Sequence, residues 1–318
     1  MKNSTAVAAS PLRKKTPLQK ALDSIRRNWL LYVFLLPAVI YIATFHYAPM
    51  YGLQIAFRDF RIKDGITGST WVGLKYFERF FNTPRFWDIL RNTLSISLYQ
   101  LVLNFFFPIL LAISLNNIQS KRFKKFAQTI TYMPHFISVV VLVGMMSVFF
   151  SPYSGIVNTV LGWFGVDPIY FMGESAYFRH MHVWSGVWQQ VGWSSIIYMA
   201  ALAGVDPSLH EAAMIDGANK LQRIWNIDLP TILPTISIML IMSFGKVMNV
   251  GYEKVYLLQN NLNLEVSEII STYVYKMGVL GHQYSYSAAI GFFNNLVNFI
   301  LVITANKVVK KLSGSGLW

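Results

Sequence analysis

Six apolar segments divide this chain, near residues 29–50, 92–116, 126–150, 182–205, 229–252 and 284–308. Each is long enough to cross a hydrocarbon layer of about 30 Å, which takes roughly 20 helical residues. A span must satisfy its backbone hydrogen bonds internally, and the sequence has no train of short alternating strands, so the spans are predicted to be helices. The expected fold class is all-α integral membrane: a six-helix domain over 29–308, a basic N-terminal segment 1–28 and a short tail 309–318. Composition agrees, since 54% of the 318 residues are apolar and only 13% charged, too apolar for an ordinary soluble domain.

The net charge of +13 sits at segment ends. Nucleic acid is not expected as a partner, because no basic recognition module accompanies the charge. Placing the N-terminus in the cytoplasm puts Lys2, Arg13, Lys14, Lys15, Lys20, Arg26 and Arg27 inside. Lys121, Arg122, Lys124 and Lys125 follow on that side, then Lys220 and Arg223, then Lys307, Lys310 and Lys311. Both termini are therefore expected in the cytoplasm. The stretch 51–91 holds seven cations on the opposite side and is an exception to the rule. With no cysteine, disulfides, thiolate metal sites and cysteine nucleophiles are excluded.

Arg26 and Arg27 precede the first apolar run as they would in a secretory signal, but the run is too long and no small-residue cleavage site follows, so a retained helix is expected. Leu18, Leu22, Ile25 and Trp29 recur at helical spacing among basic residues, which predicts an amphipathic helix on the membrane surface. In 51–91, Trp71, Leu74, Phe77, Phe80, Phe81, Phe86, Trp87 and Leu90 lie among charges, as in a pair of interfacial helices.

Residues 211–230 form a polar island between two long apolar segments. Asp206-Pro207 supplies a capping residue followed by proline at the first helical position, and Ser208 with Glu211 offers a capping box one step later. Ala212, Ala213 and Gly217 keep the helix surface small and allow close approach of another protein, while Gly217 permits a bend. A second helical stretch runs from Asn219 to about Ile227, and Pro230 is expected to start the fifth span.

Glu211-Ala212-Ala213, three residues, Gly217, nine residues, Ile227, one residue and Leu229-Pro230 resemble the cytoplasmic coupling-loop motif of permease subunits in binding-protein-dependent ATP-binding-cassette importers. Pro49-Met50-Tyr51-Gly52, Ala56-Phe57, Gly73-Leu74, Tyr76-Phe77, Asn92-Thr93 and Tyr132-Met133-Pro134-His135-Phe136-Ile137 are similar to the carbohydrate branch. The last of these, with Gly316-Leu317-Trp318, is similar to permeases for complex oligosaccharides and polysaccharide fragments.

The resemblance implies a type I importer fold in a bacterial cytoplasmic membrane. Glu211, Ala212, Ala213, Asp216, Gly217, Ile227, Leu229 and Pro230 would engage an ATPase. The partners it implies are a second permease, usually a different one in the sugar branch with a homodimer as the alternative, two ATP-binding cassette subunits and an extracellular or periplasmic sugar-binding protein. The sequence itself has no Gly-x-x-x-x-Gly-Lys-Ser/Thr loop, no His-Glu-x-x-His and no nucleophile constellation. No catalytic residue, metal site or cofactor is therefore expected on this chain, with ATP and Mg²⁺ held by the partner subunits. The alternatives are a related permease for a peptide-like or phosphorylated solute, and an integral membrane enzyme or scaffold.

Polar groups inside the spans are the candidates for a substrate path: Lys246 and Asn249 with Glu253 on the fifth span, Trp188 near Trp184, Gln189, Gln190 and Trp193 on the fourth, Asn294, Asn295 and Asn298 on the sixth, and Gln100 and Asn104 on the second. Sugars need flat aromatic faces and amide or charged partners for their hydroxyls. The same amides also glue membrane helices together, and tryptophans favour interfaces. A lysine within a span is a functional candidate by default, with snorkelling as the other reading. His46 and His135 lack a second ligand at helical spacing, so a structural role is preferred for both.

Overall fold

The computed structural model describes residues 26–314, 316 and 317. Leu18, Leu22 and Ile25 of the predicted surface helix and the terminal Trp318 lie outside this range. The chain falls into two units divided after Gln54.

In the first unit, α1 (Trp29–Ile42) is apolar on every face and carries Pro37 internally; a π turn at Ala43–Tyr47 continues it, and the unit ends within a 3₁₀ segment at Ala48–Phe57. An all-round apolar helix belongs in lipid or a core.

The second unit opens with a small antiparallel ribbon, β1 (Arg58–Arg61) and β2 (Ser69–Trp71), paired Arg58 to Trp71 and Asp59 to Thr70. The fold is thus mostly helical, with a strand pair that the all-α expectation does not include. Helix α2 (Lys75–Phe81) buries Phe77 and Phe80. Phe86 and Leu90, expected on an interfacial helix, belong to the long α3 (Phe86–Asn116), which starts six residues before the anticipated span.

The third span is bent. Hydropathy predicts one helix over 126–150; instead α4 (Lys121–Tyr132), a 3₁₀ turn at Met133–Phe136 and α5 (Val139–Phe149) meet at 101°. The cause is local. Pro134 lacks an N–H to continue the helix, and Ser138 caps the new one, its Oγ accepting from the Val141 N–H at 3.3 Å.

Helix α6 (Ser175–Leu202) lies along α3, and their contact with α5 and Val250–Leu258 forms the main core, including Ile96, Leu142, Met146, Val183 and Val187. After α7 (Pro207–Ile215), α8 (Lys220–Arg223), a π turn at Ile224–Asp228 and α9 (Leu229–Phe244) form one continuous helical segment. Pro230 lies in the first turn of α9, as expected, but the helical segment begins upstream at Lys220. In the π turn the Leu229 N–H reaches the Ile224 carbonyl, the local widening by which a helix accommodates a proline such as Pro230. The span also ends at Phe244, before Lys246, and is followed by α10 (Tyr252–Leu258), α11 (Ile270–Tyr275) and α12 (Tyr284–Ser313).

Among the described residues, Trp29–Phe57, Phe86–Asn116, Lys220–Phe244 and Tyr284–Lys311 are long and apolar enough to cross a membrane, and the bent α4–α5 pair makes a fifth. Helix α6 has the length, 28 residues or about 42 Å. It is more polar because it carries Arg179, His180, His182, Gln189 and Gln190.

Candidate functional site

The polar island folds as two capped helices. Asp206 accepts a hydrogen bond from the Ser208 N–H at 2.9 Å, and Pro207 takes the first helical position of α7. The bonds from Ser208 hold the Asp206 carboxyl below the ordinary carboxylate range. The Ser208–Glu211 capping box does not form, because Asp206 already caps the helix. Gly217 does not bend α7 but ends it. Its φ is +79°, its N–H donates to the Met214 carbonyl at 3.1 Å, and the Ala218 N–H reaches the Ala213 carbonyl at 2.8 Å, which together make a Schellman closure. Two residues later Asn219 and Gln222 exchange side-chain and backbone bonds of 2.7 and 2.9 Å, a reciprocal box that the sequence reading missed.

These caps sort the motif residues into two roles. Glu211, Ala212, Asp216, Gly217 and Pro230 are exposed, and Ala213 is partly so. Ile227 and Leu229 are half-buried; Leu229 packs with Ile224 against Ile109, Ala112, Tyr198 and Leu202 at the base of α3 and α6. Leu209, Met214, Leu221 and Trp225 are exposed, and Ile215 is 87% exposed, leaving an apolar surface on the island. Beneath it Asp228, 2% exposed, has its carboxylate Oδ1 3.2 Å from Nε2 of His210 on α7. Sequence inspection passed over this pair, although an aspartate between Ile227 and Leu229 was the available signal.

The substrate-path candidates are partly brought together. Lys246 and Asn249, in the non-helical turn after α9, line a cavity of about 230 Å³ with Ser97, Gln100 and Asn104 of α3 and with Ser243. Asn294 of α12 donates from Nδ2 to Oδ1 of Asn249 at 2.9 Å. Asn298 plays a structural part, since its Oδ1 accepts from the Met248 N–H at 3.0 Å and so holds the broken backbone. The helical spacing of Lys246, Asn249 and Glu253 does not survive, because the turn separates the first two from Glu253 on α10. Trp188 is 47% exposed and does not line this cavity.

The Tyr132–Ile137 motif packs on α6 instead of facing the cavity. His135 stacks on Trp193 with centroids 4.4 Å apart and contacts Gln190 through Nδ1 at 2.9 Å; the Ile137 carbonyl accepts from Nε2 of Gln189 at 2.7 Å. A Cβ on Gly192 would lie 1.9 Å from the Thr131 carbonyl oxygen, so only glycine lets α4 approach α6 here.

Residues 104–314 match the family described as binding-protein-dependent transport system inner membrane component. This stretch contains the capped island and Lys246. The chain belongs to that family. This permease is 42% identical, over 99% of both chains, to the polygalacturonan/rhamnogalacturonan transport system permease protein YteP of Bacillus subtilis (strain 168). It is 40% identical to Protein LplB of the same organism over 93% of each. Among solved structures, it superposes with a TM-score of 0.86 and 38% identity, covering 94% of this chain and 100% of the other, on a chain of a bacterial alginate ABC transporter in complex with an alginate pentasaccharide-bound periplasmic protein. A second structure of a bacterial ABC transporter that imports the acidic polysaccharide alginate gives 0.85 and 38% identity, over 92% of this permease and 99% of that chain.

Proposed function

We propose that this permease is one of two different membrane subunits of an ATP-driven importer that carries acidic oligosaccharides or polysaccharide fragments into the cell by alternating access. In this reading α6 is the fourth of six spans and the bent α4–α5 pair the third, so both termini and residues 206–230 share one side, which the basic clusters assign to the cytoplasm. Two ATP-binding cassette subunits supply ATP hydrolysis with their own Mg²⁺, and a periplasmic or extracellular binding protein delivers the sugar.

The observation that carries this reading is the capped, protruding island with its apolar surface at Leu209, Met214, Ile215 and Trp225. A helix closed at both ends moves as a rigid body, which suits it to transmit closure of an ATPase pair. The acidic preference follows from Lys246, which has no ion-pair partner within 4 Å among the described residues and lies beside the amides and hydroxyls of the cavity. The relatives whose names mention galacturonan and alginate agree with a cationic path.

The test is uptake and ATP hydrolysis in the complete transporter reconstituted with its binding protein, using trigalacturonate, an alginate pentasaccharide and maltotriose. Lys246→Gln is expected to lower stimulation by the two acidic sugars by roughly 5- to 100-fold, corresponding to the loss of one charged hydrogen bond, and to leave maltotriose as poor a substrate as before. Wild-type transporter that takes up none of the three, or prefers maltotriose, would refute the proposal.

A further inference from the structure

Tyr284 begins α12, and Asn294 lies ten residues further along it, about 15 Å at 1.5 Å per residue. Between them runs a cleft of about 420 Å³, lined on one side by Tyr252 and Tyr275 and on the other by Tyr284, Gly291 and Asn294. Its inner end is the Asn249–Asn294 amide pair, whose Asn249 member lines the Lys246 cavity, so the two hollows share one partition.

Three observations say what the cleft accommodates. Asn294 is 8% exposed; its Nδ2 donates to Asn249, while its Oδ1 has no hydrogen-bond partner. A buried acceptor without a partner is costly, and a donor arriving with a ligand removes that cost. The rings of Tyr252 and Tyr275 lie 5.3 Å apart at 35°, and neither hydroxyl has a partner among the described residues. A Cβ on Gly291 would meet nothing within 4 Å, so this helix face is kept open without any packing demand for glycine.

We propose that this tyrosine-lined cleft is a second saccharide subsite, which receives a sugar ring on its way to the Lys246 cavity. The ring's C–H face rests on Tyr275 and Tyr252, and one sugar hydroxyl donates to Oδ1 of Asn294. Apolar walls with a few convergent polar groups are the usual make-up of such sites, and tyrosine offers an apolar face with a polar edge. A lipid chain has no donor for Asn294. The subsite deepens the importer reading above and rests on it: with α12 starting on the outer side, the cleft lies between the point of sugar release and the charged cavity.

Gly291→Phe fills the cleft from a position with free space, and Tyr275→Leu removes the platform while Tyr275→Phe keeps it. In the reconstituted complete transporter, uptake of trigalacturonate and of the alginate pentasaccharide is expected to fall on the order of tenfold for Gly291→Phe and Tyr275→Leu, with subunits still copurifying. Tyr275→Phe should recover most of the uptake. If wild-type transporter imports neither sugar, the importer reading itself fails. If it imports them and Gly291→Phe does so equally well, the cleft holds lipid and the subsite alone is overturned. Loss of copurification in Gly291→Phe would make the cleft a subunit interface and overturn it as well.

Discussion

Nε2 of His210 on the exposed helix α7 lies 3.2 Å from Oδ1 of Asp228, a carboxylate buried in the π turn that leads into α9. The approach is close, although its angles fall short of a well-formed hydrogen bond. It fastens the first helix of the island to the root of the fifth span, across the loop that Gly217 closes.

Removing one partner strands the other. His210→Ala leaves the Asp228 side chain buried without its neighbour and is expected to destabilise the base of α9 by about 1 to 3 kcal/mol, the order found when a buried polar group loses its partner. Thermal unfolding of the purified transporter checks this. A double substitution, His210→Leu with Asp228→Leu, should restore much of the stability and still lower uptake per ATP hydrolysed if the pair transmits motion. Unchanged uptake per ATP in the double variant would limit the pair to a structural role.

Gly192→Ala places a methyl group on the Thr131 carbonyl, which a backbone group cannot evade by changing rotamer. Pushing α4 away from α6 would also disturb the His135–Trp193 stack and the Gln189 bond to Ile137. A loss on the order of 1 to 3 kcal/mol is expected, read as a lowered Tm and as faster chymotryptic cleavage after Tyr132 and Phe136 beside the 137–138 bend. Gly144→Ala, whose added Cβ would meet nothing within 4 Å, is the matched control.

At Gly217 the backbone conformation, φ +79°, matters more than space, since a Cβ there would meet nothing in this chain. Gly217→Val should cost about 1 to 2 kcal/mol of local helix stability from strain alone, whereas Gly217→Asn, which tolerates the left-handed region, should cost less. Amide exchange in α7 separates this effect from ATPase docking. Equal loss of transport in the Asn and Val variants, with α7 protection intact in Asn, would place the effect at the partner surface.

The Asp206 cap should be sensitive to acid. Its carboxyl is held below its ordinary value by the Ser208 bonds, so the cap's contribution is complete above the unfolded carboxylate pKa and is lost as pH falls through the lower, folded value. Exchange protection of the α7 amides should therefore decline on acidification below about pH 4. Asp206→Asn, which caps without titrating, should flatten that dependence.

The two ends of the island show how much of the site could be read from residue order. Asp206-Pro207 announces a helix start because capping and the fixed φ of proline act within one turn, and α7 begins there. Gly217 could be singled out, but whether it bends or ends a helix depends on which carbonyls its neighbours reach, and residues 213–218 settle this by closing on themselves. In the membrane, hydropathy assigns Lys246 and Asn249 to a helix, since it continues past Phe244 while the helical backbone does not. What holds that turn is Asn298, fifty residues away.

Sequence by itself determined most of the long apolar helices, the capped island and the roster of polar groups along them, because hydropathy, capping and motif spacing are local properties. Tertiary structure alone decided that α4 and α5 meet at 101° beside Gly192, that Asp228 faces His210, and that tyrosines instead of Trp188 flank the amides of Asn249 and Asn294. Each of these pairs residues far apart in the chain. Their meeting is fixed by how closely helices can approach and by which buried polar atom is left to find a partner, and neither quantity is written at any single position.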